Sequence, residues 1–402
     1  AETALAPGAP VLQPSVNPDG NLLKQHTLEC NGTLDEALAA ADVVVEGAYR
    51  TPTMQHCHLE NQTAYAYMDD MRHIVIVSST QIPHICRRVV GQALGIPWSS
   101  VRVIKPYIGG GFGNKQDVLY EPLCAWVCMN LGGHLVKLDV PREETFVSNR
   151  VRHAIRSHIV SWVRPDGTFA ARKLEAFSDQ GAYASHGHSI CAKGVGAFPQ
   201  LYPCDNIEAD GYTVFTNKPA AGAMRGYGIP QAMWAVECHT DDVAAKIGMD
   251  PIAFRRKNLM PVGFQDEFSK NELYSDTFNQ CMDKGMAAMD YERKYKEYQN
   301  QTGDIRRGIG MSVFWYNTAV WPISLETSSC RMVLNQDGSL QVQLGETEIG
   351  QGADTAYTQM AADVVGVRLD QVHVVSCQDT DVTPFGTGAY ASRQTYTAGF
   401  SI

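Results

Sequence analysis

The sequence predicts an α+β chain built from two related mixed α/β units. Strand-type and helix-type periodicities alternate along most of its length, which excludes an all-α or all-β protein. One helix-to-strand pattern occurs twice, as Val89-Val90, Gly95, Val101-x-Val103 and as Val364-Val365, Gly366, Val372-x-Val374, with the same interval from glycine to strand. The 402 residues, at about 150 per domain, are enough for two or three cores.

Taken in order, residues 1–23 are rich in Pro, Gly and Asn, lack periodicity and read as a connector. Thr33 with Glu36 three residues on is a capping box that opens a helix ending near Ala41, and residues 43–49 read as a strand. Strands over 63–68 and 73–78 precede a helix in which Ile82, Ile85, Val89 and Ala93 share one face. A strand follows over 101–104, and Pro122 marks the first turn of a helix reaching Leu131. Strands over 153–163 and 168–177 flank the hairpin signal Pro165-Asp166-Gly167. Pro230 opens a helix with Met233, Val236, Val243, Ala244 and Ile247 on one face. The charged stretch 290–304 reads as a solvated helix plus linker, dividing a first part, residues 24–303, from a second, residues 304–402. In the second part, strands over 331–334 and 340–344 flank Asp337-Gly338. A helix over 353–365, carrying Tyr357, Met360, Ala361 and Val364, and a strand over 372–375 complete it.

With 33 basic and 43 acidic side chains the net charge is −10, and no basic run occurs, which argues against nucleic acid or an anionic membrane as partner. Charged residues are 19% of the chain, below the roughly 25% of an average soluble protein, which points to much buried surface, part of it against other chains. The longest apolar runs fall far short of the ~20 residues a bilayer demands. The first residues lack the basic and apolar regions of a signal peptide. Eleven cysteines, an odd number without a CxxC pair, read as small buried hydrophobes in a reducing compartment, the cytoplasm. Cys124 and Cys128 fall four apart on a predicted helix.

Three glycine-containing segments each lie before a predicted helix: Gly109 to Lys115, Arg225-Gly226-Tyr227-Gly228, and Gly350-Gln351-Gly352. Glycine lets backbone approach a ligand, and a helix start presents unpaired N–H groups, so such segments favour phosphate or oxo groups. Singly, each is most often a turn; together they would suit a large anionic cofactor. Nucleotide motifs do not fit, because the first segment lacks the last glycine of GxGxxG, and Asn114 and Gln116 stand where a P-loop needs Gly and Ser or Thr. His56-Cys57-His58 with Glu60 is not a metal site, since strand alternation sets Cys57 opposite its neighbours; His186-Gly187-His188 has the same defect. No nucleophile elbow, HExxH or EF-hand pattern occurs.

Ser79-Thr80-Gln81, Gly109 to Lys115, Ala223-Met224-Arg225-Gly226-Tyr227-Gly228 with Pro230-Gln231, Glu348-Ile349-Gly350-Gln351-Gly352, and Ala389-Tyr390-Ala391-Ser392-Arg393 occur in one order. In that order they resemble the molybdenum-binding subunit of the xanthine dehydrogenase family, most of all its bacterial members, from about Leu22 to the last residue. The resemblance implies a molybdopterin-binding fold of the aldehyde oxidase/xanthine dehydrogenase type. It implies a molybdenum–pyranopterin cofactor in the dinucleotide form, with the metal held by the pterin dithiolene and by no side chain directly. By the same resemblance Gln81 and Arg225 are catalytic, Gln81 through its amide on an oxo ligand. Gly111, Phe112 and Gly113 form the loop over the metal, and Arg225, Gly350, Gln351, Ala391 and Ser392 contact the cofactor. Gln116 and Tyr227 bind substrate.

The implied reaction is hydroxylation of an electron-poor carbon of a purine such as xanthine or hypoxanthine, with water as the oxygen source. Electrons leave for 2Fe-2S and FAD on an iron–sulfur subunit and an FAD subunit of a multi-subunit complex. Gln116 stands where the animal xanthine enzymes carry glutamate, which opens the substrate to other purines or heterocycles. An aldehyde or N-heterocycle hydroxylase is the alternative, to be decided near Gln116, Tyr227, Lys193 and the aromatics of 314–321, which otherwise read as core. A scaffold that has lost its cofactor is a third reading, opposed by the presence of Gln81, Arg225 and Gln351. The family's GVGE-like motif with its general-base glutamate does not occur, so the resemblance implies a further C-terminal segment and a chain inactive by itself.

Overall fold

The computed structural model describes residues 1–30, 34–267, 270–275, 277–320 and 326–402. Its two compact units are not consecutive stretches of chain. One comprises Ala1–Thr53, His153–Ala221 and Gly226–Tyr316; the other comprises Met54–Arg152, Gly222–Arg225 and Asn317–Ile402.

In the first unit, five segments pair into a sheet in the order Leu22–Cys30, Asn206–Phe215, Phe169–Gly181, Ile155–Val163, Val43–Arg50. Its pairs are antiparallel except Phe169–Gly181 with Asn206–Phe215, which run parallel because the helix Gly187–Leu201 carries the chain back between them. That helix and Ile229–Lys246 pack on the sheet through Val195, Phe198, Met233, Val236 and Val243. Met233, Val236, Val243 and Ala244 are buried as the periodicity predicts, with Ile247 against the same core.

The second unit holds the repeated pattern as two copies of one arrangement. In the first copy the antiparallel strands Thr63–Met68 and Ile74–Ser78 lead into the helix Pro83–Leu94, which ends on left-handed Gly95, and Val101–Lys105 then returns parallel to Ile74–Ser78. In the second, the antiparallel strands Cys330–Leu334 and Leu340–Leu344 lead into Ala353–Val365, which ends on left-handed Gly366, and Val372–Val374 returns parallel to Leu340–Leu344. The two copies are joined where Gln378–Asp379 adds to the edge of Val101–Lys105. Cys124, Ala125 and Cys128 of the helix Glu121–Asn130 are buried against Ile74, Ile76 and Val103, and each large apolar side chain so covered contributes about 1.5–3 kcal/mol.

Several expectations change. The buried stripe of Pro83–Leu94 is Pro83, Cys86 and Val90, one residue round from the predicted face, and Ala93 is exposed. Both stripes are apolar, and only docking on the sheet selects between them. Val364 is exposed for the same reason. The connector is shorter than predicted, because Leu22–Cys30 is already a strand. Its polar side chains mask it, since it lies at the sheet edge, where Thr27 bonds Asp210. The helix Gly187–Leu201, with two internal glycines besides its first residue's and Pro199, has composition that hides it, and burial in the core holds it. Cys57 points away from buried His56 and His58 not by strand alternation but through a left-handed backbone, φ +51°. The Thr33–Glu36 capping box falls outside the described residues. Tyr291 of the charged stretch is buried, although the helix Tyr291–Glu297 is otherwise largely solvated. Among the described residues no helix is long and apolar enough to cross a membrane.

Candidate functional site

Gln81 lies between the Ile74–Ser78 strand and the Pro83–Leu94 helix, and it is buried. Its backbone N–H donates to the Lys115 carbonyl at 2.8 Å, and its carbonyl accepts from the Ala389 N–H at 3.0 Å and from Thr347 Oγ1 at 2.9 Å. Its side-chain Oε1 accepts the Gly113 N–H at 3.0 Å, while Nε2 donates to the Ala389 carbonyl. A buried amide needs partners for both ends, and here those partners lie on loops far apart in sequence. Segments 109–116, 345–352 and 386–392 therefore meet at one residue.

The loops approach closely enough to demand glycine. A Cβ on Gly388, whose φ is +100°, would stand 2.3 Å from the Gln81 carbonyl oxygen, and Gly345 and Gly386 touch backbone to backbone. Gly350 lies against Ile108 and Gly110, so the second copy's turn abuts the first copy's loop. Three non-glycine residues of these loops are left-handed: Phe112 at φ +55°, Ala391 at +55° and Ser392 at +51°. Such a conformation costs on the order of 1–2 kcal/mol per residue, and strain of this kind concentrates at ligand sites. Phe112 is 41% exposed, its carbonyl accepts the Arg225 N–H at 2.8 Å, and its own N–H makes no hydrogen bond among the described residues. The same holds for the N–H groups of Ala391 and Ser392, where Ser392 borders an open cleft of about 510 Å³ shared with Thr318, Thr395 and Tyr396.

Buried charges brace this arrangement, and sequence reading passed over most of them. Arg393 is fully buried, bonded to Glu326, to Glu346 at 2.7 Å and to the Thr327 carbonyl at 2.8 Å. Glu346, with its other oxygen on Ser328, is held above the usual carboxylate range by burial. Lys115 is buried against Glu60 at 2.6 Å, and the same Glu60 oxygen accepts the Gly109 N–H at 2.8 Å. His56 Nε2 meets the Ala223 carbonyl at 2.7 Å, and His58 Nε2 lies 3.2 Å from Asn114 Nδ2. Burial lowers both imidazoles to about 4. The sequence signs of this bracing are Arg393 and Lys115, the last residues of the Ala389-to-Arg393 and Gly109-to-Lys115 motifs; Glu60 stands only beside the His56-Cys57-His58 cluster, and Glu346 in no pattern.

The remaining candidates separate. Gly111 accepts the Asn114 N–H through its carbonyl at 2.9 Å, and Gln116 closes the short 3₁₀ turn Asn114–Gln116, half-buried. Arg225 is exposed and forms no ion pair among the described residues; its carbonyl accepts from Arg152 Nη2 at 2.6 Å. Gln351 spends its amide on its own loop, at the Thr347 carbonyl (3.1 Å) and the Ile349 N–H (2.7 Å), and on Gln394 Oε1 at 2.6 Å. The Gly350–Gly352 turn does not present free helix-start donors, because Glu348 takes the N–H groups of Gly350, Gly352 and Asp354 at 2.6, 3.2 and 3.0 Å. Burial would raise Glu348, but these N–H bonds outweigh it and hold the carboxyl low. Tyr227 belongs to the other unit, left-handed at φ +50°, its hydroxyl 2.7 Å from His186 Nδ1. Lys193 sits over the Tyr316 ring at 4.6 Å, and Trp321 lies outside the described residues.

Comparison with known proteins decides the family: the molybdopterin cofactor-binding domain matches residues 16–259, and a second such domain matches residues 284–402. The chain belongs to the molybdopterin cofactor-binding family. It is 49% identical over 379 residues to the xanthine dehydrogenase molybdenum-binding subunit of Escherichia coli O157:H7, covering 94% of this chain and 50% of that protein. It is 33% identical over 284 residues to the nicotinate dehydrogenase large molybdopterin subunit of Eubacterium barkeri, covering 70% and 66%. Its fold matches the aldehyde oxidoreductase of Desulfovibrio gigas with a TM-score of 0.90 at 26% identity, over 99% of this chain and 43% of that one. The chain spans about half the length of the curated xanthine dehydrogenase subunits it matches. The loops fit the family's cofactor: N–H groups on the left-handed Phe112, Ala391 and Ser392 that are unspent among the described residues, and the exposed guanidinium of Arg225, with no ion pair among them, form a donor set for anionic oxygens.

Proposed function

We propose that this chain is the molybdopterin-binding part of a molybdenum hydroxylase that oxidises purines of the xanthine or hypoxanthine type. The convergence on Gln81 of three loops, two of them holding left-handed non-glycine residues, carries the reading. When bound, the molybdenum–pyranopterin supplies an oxygen drawn from water and accepts the electron pair of the carbon being hydroxylated. The N–H groups of Phe112, Ala391 and Ser392 bind its anionic oxygens, Gly111 and Gly113 bring backbone close, and Gly350 and Gln351 shape the opposite wall. Gln81 fixes the loops and turns its amide plane toward the Gly113 N–H. Arg225 offers a planar fork of donors to a bound anion or to substrate. Gln116 reads the substrate edge, since an amide donates and accepts where a carboxylate only accepts, and Tyr227 flanks the substrate. Glu346 does not serve as base, because both its oxygens are already bonded.

The proposal extends to a dinucleotide form of the pterin, to 2Fe-2S and FAD carried by partner subunits, and to the cytoplasm, where the ten described cysteines stay free thiols. A hydroxylase of another N-heterocycle is the second reading, favoured by the likeness to a nicotinate dehydrogenase subunit and by the neutral Gln116. Molybdenum and pterin analysis of the whole enzyme, with dye reduction by xanthine, hypoxanthine, nicotinate and an aldehyde, tests both. Gln116→Glu shifts relative rates across that panel by roughly ten- to a hundredfold. An enzyme isolated without pterin would leave only the scaffold reading, and identical relative rates in both forms would remove Gln116 from the substrate site.

A further inference from the structure

Lys105 ends the Val101–Lys105 strand with its side chain fully buried, and among the described residues no carboxylate bonds it. Its ammonium donates instead to the Glu348 carbonyl at 2.8 Å. From that peptide the chain turns back on itself. The Glu348 carboxylate accepts the N–H groups of Gly350, Gly352 and Asp354, and Gln351 bonds both its own loop and Gln394. A buried cation from the first copy of the repeated arrangement thus anchors the peptide from which the second copy's glycine turn starts. We infer that Lys105 is a positioning residue that holds the Gly350–Gly352 turn in the shape that receives the pterin. The inference rests on the cofactor-contact role proposed for Gly350 and Gln351, and it adds a residue that no motif contains.

A charge makes this anchor stronger than a neutral donor, because hydrogen bonds to ionised groups are worth about twice as much as those between neutral ones. The groups facing Lys105 are Asp354 of the Ala353–Val365 helix, Cys377 beside the Gln378–Asp379 strand, Glu348 in the turn, and Glu60. Burial lowers its ammonium to about 8 although all four pull the other way. The anchor therefore loses its charge just above neutral pH, while the guanidinium of an arginine would keep it.

The test is the rate at which the holoenzyme releases pterin, followed by fluorescence of the oxidised pterin, between about pH 6.5 and 10. Wild type, Lys105→Met and Lys105→Arg are compared. Wild type releases pterin faster as pH passes 8. Lys105→Met releases it roughly ten- to a hundredfold faster at pH 7, with no step near 8. Lys105→Arg releases it slowly throughout. The inference is overturned if Lys105→Met holds pterin as wild type does at pH 7, or if the step near 8 persists in Lys105→Met. A wild-type enzyme isolated without pterin would instead overturn the cofactor reading beneath it, so the two failures are told apart.

Discussion

Gln81 is bonded through backbone and side chain to Gly113, Lys115, Thr347 and Ala389. Replacing it with alanine leaves the backbone contacts and strands the Gly113 N–H and the Ala389 carbonyl. Each unpaired buried group costs about 1–3 kcal/mol, so Gln81→Ala lowers stability by about 2–6 kcal/mol in chemical denaturation. It also reduces the pterin retained on purification. Gln81→Glu keeps the acceptor for Gly113 but sets a carboxylate oxygen against the Ala389 carbonyl, and it should be at least as damaging. A loss below about 1 kcal/mol in both variants would show that the loops hold each other without Gln81.

The segment Met54–Glu60 lies under the Gly109–Lys115 loop and brings two buried histidines with it. Burial, opposed by the Ala223 carbonyl, lowers His56 to about 4; burial with Lys115 and Arg142 lowers His58 to about 4. The unfolded chain takes up these protons near 6.5, the folded one only near 4, so the unfolded state binds more protons between those values. The stability associated with neutral imidazoles is complete above pH 6.5 and is lost as pH falls toward 4, at about 1.4 kcal/mol per histidine per unit. Urea midpoints at pH 7 and pH 5 should therefore differ, and the difference should shrink in His56→Gln, which keeps an amide donor for Ala223, by no more than about a third, because burial also lowers His239, to about 3. An unchanged difference would mean that His56 titrates normally in the folded chain.

Across the whole molecule, residues 109–116, 345–352 and 386–392 lie in the unit formed by Met54–Arg152, Gly222–Arg225 and Asn317–Ile402. Strain in Phe112, Ala391 and Ser392 is best sustained when a ligand engages their N–H groups. Removing molybdenum and pterin from the enzyme should raise amide exchange in these three segments by roughly tenfold or more, while exchange in Ile155–Val163 and Phe169–Gly181 stays unchanged. Uniform exchange changes over the chain, or none in the loops, would separate the strained loops from cofactor binding.

The repeated helix–glycine–strand arrangement was legible in sequence because periodicity and a left-handed helix end are local properties: Gly95 and Gly366 mark the two helix ends, and the strand after each pairs parallel to the one before. The glycine segments at 109–115, 225–228 and 350–352 could be singled out for a similar reason, since backbone that must approach a ligand needs glycine, whereas Ser79-Thr80-Gln81 and Ala389 to Arg393 were legible only through the family resemblance. The buried face of Pro83–Leu94, the helix Gly187–Leu201 and the edge strand Leu22–Cys30 were not legible, because each is set by what packs against it. Nor could sequence show that Gln81 meets Ala389, that Glu348 fills its own glycine turn, or that Lys105 and Arg393 are buried. A side chain's partner 47 to 308 residues away is fixed only when the sheets have brought the loops together, and the desolvation that makes such pairs decisive exists only in the folded chain.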